Sequence, residues 1–284
     1  MHPTDIKLPD YFHKVVDCQW ACPAHTPVPE YIRMIAAGRY SDAYLVNWKS
    51  NVFPGILGRT CDRPCEPACR RGRVEDENAT KPEPVAICRL KRVTADYKDN
   101  DEIAKQISTQ KKTRSNGKKI ACVGAGPASL TVARDLAPLG YEVTVFDQDP
   151  RAGGMIWSQI PRFRLPLEVI DEEVGYILNL GVEFRGGVKI DSMKKLMAQG
   201  YDAIFVGSGA PRGRDLDIPG RKEGAKNIHI GIDWLSSVSF GHTTKIGKRV
   251  IVLGGGNTAM DCCRTSRRSV TRSPCSTRTR RPAA

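Results

Sequence analysis

Six cysteines stand ahead of residue 90 in an order that could support redox or metal chemistry: Cys18, Cys22, Cys61, Cys65, Cys69 and Cys88. The first two enclose Gln19-Trp20-Ala21, and Pro23 follows directly. The next three advance in steps of four, through Cys61-Asp62-Arg63-Pro64-Cys65-Glu66-Pro67-Ala68-Cys69. That proline-broken loop can wrap an ion or a cluster. Cys88 comes after Pro84-Val85-Ala86-Ile87 and is expected in the first turns of a helix. Thiolates in such number repel one another and need a cationic centre to stay buried. Arg59, Arg63, Arg70 and Arg71 are expected to offset the charge of a thiolate-ligated cluster. A structural zinc site from Cys18/Cys22 and Cys61/Cys65 fits the same spacings. The Cys-Pro ending, a feature of iron–sulfur sites, and the nucleotide fold that follows favour iron–sulfur.

Glycines mark a second kind of chemistry. Lys119-Ile120-Ala121-Cys122-Val123 reads as a buried strand, followed by Gly124-Ala125-Gly126-Pro127-Ala128-Ser129 and a helical stretch that Gly140 ends. Glu142 to Asp147 reads as the next strand. Strand, glycine turn, helix and strand form a dinucleotide-binding unit. Gly124 permits the tight turn, and Gly126 lets the backbone approach a pyrophosphate at the helix N-terminus. Ser129 replaces the usual glycine or alanine where helix and strand pack closely. Asp147 is placed to accept hydrogen bonds from an adenosine ribose. A second turn, Gly254-Gly255-Gly256-Asn257-Thr258-Ala259, follows the apolar run Val250 to Leu253.

Further motifs give these turns a context. Gly153-Gly154-Met155, then Ile160-Pro161-Arg162-Phe163-Arg164-Leu165-Pro166, resembles the signature of the glutamate synthase small (beta) subunit family of FAD and iron–sulfur NAD(P)H oxidoreductases. The N-terminal half of dihydropyrimidine dehydrogenase is similar. The resemblance takes in Gly58 to Gly72, Tyr201 to Ala210 and Gly254 to Asp261, and covers roughly residues 15–268. It implies FAD held around Gly124, Gly126, Pro127, Ala128, Ser129, Asp147, Gly153 and Gly154. It implies NAD(P)H at Gly254, Gly256, Asn257, Thr258 and Ala259. It also implies a 4Fe-4S cluster, with Cys22, Cys61, Cys65 and Cys88 as the best ligand set. Cys18 and Cys69 match positions that serve a second cluster, and no cysteine precedes Cys18 to complete it. A large catalytic or electron-accepting subunit is the implied partner.

The elements that must position these residues divide the chain. Residues 1–104 are expected to form a small all-helical iron–sulfur domain. Helices are expected around Tyr31, Ile32 and Ile35, ending at Gly38, and around Tyr44, Leu45 and Trp48, capped by Ser41 or Asp42. Residues 105–118 read as a basic linker, 119–244 as a Rossmann-type FAD domain of α/β class, and 245–268 as the start of a Rossmann-type NAD(P)H domain. A helix over Leu167 to Leu180, a strand at Val182 to Phe184 and a short helix from Ser192 to Ala198 complete the FAD domain.

Residues 269–284 read as a disordered basic tail, with no strand to continue the second nucleotide fold. Only 35 residues follow Arg249, so the chain is expected to stop before the enzyme is complete. A non-catalytic, cluster- or zinc-bearing interaction module is the rival function. Seven arginines and no acid lie from Arg264 onward, and they supply more than half of the net charge of +13. That location, with no stacked aromatics among the basic residues, excludes nucleic acid as the partner. No apolar run is long enough to span a bilayer, and Met1 to Asp5 begin no signal segment. The expected compartment is the cytoplasm.

Overall fold

The computed structural model describes residues 16–73, 82–110, 114–247 and 249–270, with 275–278 as backbone. The chain divides into two units, residues 1–111 and 112–284.

The first unit is helical. Helix α1 (Asp17–Ala21) carries Cys18 and ends at Cys22. Helices α2 (Val28–Ala36) and α3 (Tyr40–Asn51) follow. Ser41 and Asp42 lie inside the first turn of α3 rather than at its cap, a position that Arg39 takes. Asp42 instead accepts from Arg39 at 2.7 Å, and Ser41 Oγ accepts from the amide of Asp99. Helix α4 (Pro54–Thr60) starts on a proline at its first position and ends at Cys61. Helix α5 (Ile87–Asp96) places Cys88 in its first turn, as the sequence predicts. Tyr31, fully buried, donates from its hydroxyl to the Ile87 carbonyl at 3.1 Å and so ties α2 to the start of α5.

Helix α6 (Asn100–Ser108) corrects the expected linker, which is helical over its first residues. Asp99 caps it by accepting from the Glu102 amide at 2.9 Å, and Ile103 and Ile107 are buried one turn apart. Two apolar residues at that spacing suffice to dock a helix whose other positions are polar. Replacing Ile107 by alanine should cost about 2–5 kcal/mol, a range typical of emptied core positions. The shift of the urea unfolding midpoint measures it, and a surface linker would show no shift.

The second unit opens with a parallel sheet of order β3-β2-β1-β4, formed by β1 (Lys119–Val123), β2 (Glu142–Asp147), β3 (Glu183–Gly186) and β4 (Ala203–Val206). The middle strands β1 and β2 are buried on both faces, which suits their unbroken apolar runs. Helix α7 (Pro127–Leu136) leaves β1, and a short 3-10 turn ending at Gly140 leads to β2. Helices α8 (Met155–Ser158), α9 (Leu167–Leu178) and α10 (Met193–Met197) complete the connections, α10 capped by Ser192. Strand order reverses between β1 and β4, where nucleotides bind in sheets of this kind.

After helix α11 (Gly231–Ser239), β5 (Val250–Leu253) begins the second nucleotide unit, with helix α12 (Asn257–Thr265) behind it. A strand, β6 (Cys275–Arg278), pairs with β5 in parallel, Val250 opposite Cys275 and Leu253 opposite Arg278. This corrects the expectation of a tail without a strand. A ladder is made of backbone amides and carbonyls, so composition alone does not forbid it. The remainder of the tail expected to be disordered, 271–274 and 279–284, lies outside the described residues.

Candidate functional site

Helix packing gathers the front cysteines. Gly58 of α4 faces the backbone of Arg92 in α5, where a Cβ would meet Arg92 Cα at 2.8 Å. That close crossing brings Cys61, at the end of α4, beside Cys88, whose Sγ lies 3.4 Å from the Leu57 carbonyl. The next turn of loop is set by Arg63. Its φ of +61° turns the chain so that its amide donates to Cys61 Sγ at 3.3 Å. Glu66 then caps α5 by accepting from the Cys88 amide at 3.0 Å, which fixes Cys65 against the same helix. Cys22 enters from α1, with its Sγ 3.4 Å from Thr26 Oγ1.

The thiols act on one another. Cys88 donates to Cys61, and this bond is the chief cause of a lowered pKa at Cys61 and a raised one at Cys88. Burial pushes Cys65 up to about 11, with the charges of Cys22 and Cys61 adding to the rise. The Tyr31 hydroxyl is pushed well above its ordinary value, first by burial and then by Cys65, Cys18, Cys88 and Cys22. Cys65 is coupled to Cys22 and Cys61, and Cys61 to Cys88, so these four thiols share one neighbourhood. Cys18 packs in the same core as Tyr31 and Cys65 and is also coupled to Cys69, and Asp17 and Arg70, their chain neighbours, are bridged at 2.9 Å. Among the described residues, no three His, Cys, Asp or Glu side chains converge as ligands of a single ion would. A cubane needs its thiolates at four separate irons, so it takes a looser set than a single ion does.

The cationic surroundings differ from expectation. Arg59 is taken by Asp96 at 2.6 Å, Arg70 by Asp17, Arg63 by Glu66 at 3.7 Å and Arg71 by the Glu83 carbonyl. Arginines on a polar loop find the nearest acids first. The cation that acts on Cys61, Cys65 and Cys88 is Lys91, buried in α5. Sequence reasoning missed it, because Arg89 and Arg92 stand beside it and the spacing does not say which of the three cations goes inside. In protein free of iron, the lowered pKa keeps Cys61 a thiolate at pH values where ordinary thiols are protonated. Iodoacetamide should therefore alkylate Cys61 ahead of Cys65 and Cys88 at neutral pH, as peptide mass mapping over time would reveal. Equal rates at the three would contradict the shared proton.

The first glycine turn lies at the carboxyl end of β1, beside the residues that follow β4. Gly124 has φ +94°, and a Cβ there would meet the Gly207 carbonyl oxygen at 2.5 Å. Gly126 is different. Its φ is −76°, open to any residue, and a Cβ would meet nothing within 4 Å. Neither conformation nor protein packing explains a glycine there, whereas a close-lying pyrophosphate does. Pro127 takes the first helical position, so the first free amides belong to Ala128 and Ser129. Gly153 and Gly154 fold back on this turn. The Gly153 amide donates to the Ala125 carbonyl at 2.8 Å, and Gly154 packs against Gly126, where a Cβ would come within 2.9 Å of Gly126 Cα.

Asp147 clamps the turn from β2. Its Oδ2 accepts from the Ala125 amide at 2.5 Å and its Oδ1 from the Asp149 amide at 2.9 Å. Ser129 is fully buried against Gly207, and its hydroxyl has no hydrogen-bond partner among the described residues.

The second turn repeats the geometry. Gly254 has φ +126°, and Gly256, at the N-cap of α12, has φ −80° with nothing within 4 Å of a Cβ. Asn257, Thr258 and Ala259 form the first turn of α12. The Phe163-Arg164 segment docks on this helix. Arg164 Nη1 bonds Asp261 Oδ2 at 2.5 Å, and Arg264 and Arg268 lie over the Phe163 ring at 5.0 and 4.7 Å. The thiols of Cys122 and Cys262 are pushed up to about 11, chiefly by burial, and belong to the packing.

Residues 118–273 match the family model described as pyridine nucleotide-disulphide oxidoreductase. The chain belongs to that family. Residues 11–103 match the model described as dihydropyrimidine dehydrogenase domain II, 4Fe-4S cluster. The α/β class, with a helical 4Fe-4S segment before a Rossmann-type fold, is thereby borne out, as are the cofactors these families hold: a 4Fe-4S cluster, FAD and NAD(P)H. This pyridine nucleotide-disulphide oxidoreductase chain is 36% identical to the NADP(+)-dependent formate dehydrogenase subunit beta of Moorella thermoacetica, over 88% of its own length and 38% of the relative's. It is 36% identical to the NADPH-Fe(3+) oxidoreductase subunit beta of Geobacter sulfurreducens, over 93% and 39%. It is 33% identical to the glutamate synthase [NADPH] small chain of Escherichia coli, over 88% and 53%, which bears out the resemblance read from the motifs. The chain thus spans between about two fifths and a half of these relatives.

Proposed function

We propose that this oxidoreductase chain transfers electrons from NAD(P)H by way of FAD and a 4Fe-4S cluster to a large catalytic or electron-accepting subunit. Cys22, Cys61, Cys65 and Cys88 hold the cluster. Gly124, Gly126, Pro127, Ala128, Ser129, Asp147, Gly153 and Gly154 hold FAD. Gly254, Gly256, Asn257, Thr258 and Ala259 hold NAD(P)H, and the relatives named for NADP(H) make NADPH the first nucleotide to test. The observation that carries this reading is the mutual coupling of the Cys22, Cys61, Cys65 and Cys88 thiols in a part-buried setting, where desolvation disfavours anions unless a cationic centre joins them.

When bound, FAD takes two electrons as a hydride and releases them singly to iron–sulfur. The residues of this chain bind and orient. The helix N-termini after Gly126 and Gly256 supply amide donors and partial positive charge to two pyrophosphates. Asp147 holds the first turn in shape, and each of its oxygens keeps a lone pair for the ribose. No side chain needs to move a proton. Cys18 and Cys69 are left outside this ligand set, although Cys18 packs beside Tyr31 and Cys65. Among the described residues no helix is long and apolar enough to cross a membrane, and we infer that the chain works in the cytoplasm.

Anaerobic purification, with a spectrum and with iron, zinc and flavin analysis, tests the proposal. Flavin bands over a broad thiolate-to-iron absorption are expected, and NADPH should bleach the flavin. A colourless protein containing zinc would sink the reading in favour of a non-catalytic interaction module.

A further inference from the structure

Two asparagines of α3 and a threonine form a buried hydrogen-bonded row that ends on Cys22. Thr26 lies in the turn between α1 and α2, and Asn47 and Asn51 stand one turn apart in α3; all three are buried. Polar side chains in such a place cost stability unless they are bonded, and these are bonded to one another.

The bonds run in one direction. The Ala43 carbonyl can only accept, so the amide nitrogen of Asn47 must face it, and Nδ2 does so at 2.9 Å. Asn47 Oδ1 is thereby left to Asn51, whose Nδ2 reaches it at 3.4 Å and also donates to Thr26 Oγ1 at 2.7 Å. The Thr26 oxygen accepts from Asn51, and its single hydroxyl proton points to the other neighbour, Cys22 Sγ, 3.4 Å away. A thiolate can only accept. With Cys22 ionised as a ligand, the hydroxyl is the donor of that bond.

We propose that Thr26, oriented by Asn51, is a positioning residue that donates a hydrogen bond to the Cys22 ligand and raises the reduction potential of the cluster. The inference rests on the reading that Cys22, Cys61, Cys65 and Cys88 hold a 4Fe-4S centre. Reduction adds one electron and makes or breaks no bond, and part of the added charge falls on the ligand sulfurs. A donor aimed at one of them stabilises the reduced form more than the oxidised form.

The test is an anaerobic potentiometric titration of the full chain, with dithionite as the one-electron donor, beside iron analysis. Thr26→Val keeps the shape and removes the hydroxyl. It should retain iron and weaken reduction about threefold, a fall of about 30 mV for a one-electron couple. Thr26→Ser loses a methyl group but keeps the donor, and should recover most of the loss, which a role in packing alone would not predict. A second readout needs no cluster. In iron-free protein, the urea-midpoint shifts of Thr26→Val and Cys22→Ala should fall short of adding in the double variant, because the two groups share one bond. An unmoved potential in an iron-replete Thr26→Val protein would overturn the proposal, as would equal falls in the Val and Ser variants. If Thr26→Val cannot hold iron, the double-variant cycle decides: a shortfall supports the bond, and strict additivity refutes it. A parent protein without iron would defeat the cluster reading itself, whereas an iron-replete parent with an unmoved variant defeats only this inference.

Discussion

Replacing any one of Cys22, Cys61, Cys65 or Cys88 by alanine should take the iron content from about four atoms per chain to near zero, because a cubane lacking one thiolate corner is exposed to solvent and lost. The same change at Cys18 or Cys69 should leave the iron in place. The contrast follows from the partition of the thiols. Cys61 and Cys88 share a hydrogen bond and Cys65 feels Cys22 and Cys61, whereas the thiol that acts most on Cys18 is Cys69, beside the Asp17–Arg70 bridge. Loss of the cluster should also lower the unfolding midpoint of the first unit, since binding energy at a site formed only on folding is folding energy. Iron analysis of six single variants decides the matter. Retention of iron in all four central variants would dismiss the assignment.

Gly126→Val and Gly124→Ala should fail in opposite ways. At Gly126 the backbone suits any residue and the space around a Cβ is free of protein. The valine variant should therefore fold, yet its side chain would occupy the path of the pyrophosphate. A loss of FAD affinity of at least about a hundredfold, close to 3 kcal/mol, is expected. At Gly124 the φ of +94° and a 2.5 Å approach to the Gly207 carbonyl leave no room for a methyl group. Alanine there should destabilise the second unit by more than about 4 kcal/mol, in the range that marks strain together with overpacking. Flavin released on denaturation and the circular dichroism melting curve separate the two. A Gly126→Val protein that keeps its flavin would show that the turn serves only the fold.

Legibility in the sequence followed how local the cause was. The strand, the turn around Gly124 and the helix after Pro127 lie within one short stretch, and the structure places all three where pattern reading puts them. Cys88 was equally legible, because a proline-led segment starts a helix. Lys91 was not, since it sits among Arg89, Leu90 and Arg92, where only three-dimensional packing decides which cation goes inside. Helix α6 was hidden by its polar surface, and its two isoleucines matter only once a core exists to receive them. Strand β6 was illegible for another reason: its partner is backbone, and backbone carries no composition. Arg59 and Arg70 illustrate the limit from the other side. Their proximity to the cysteines in the sequence was real, and yet Asp96 and Asp17 claimed them.

Arg164 and Asp261 join a loop to a helix nearly a hundred residues away, with Arg264 and Arg268 over the Phe163 ring beside them. Neither partner can leave alone without stranding an ion in a half-dry setting. The amides of both stretches should then exchange their hydrogens with solvent in a single concerted opening rather than one after the other. Local fraying at either nucleotide cradle would be felt at the other.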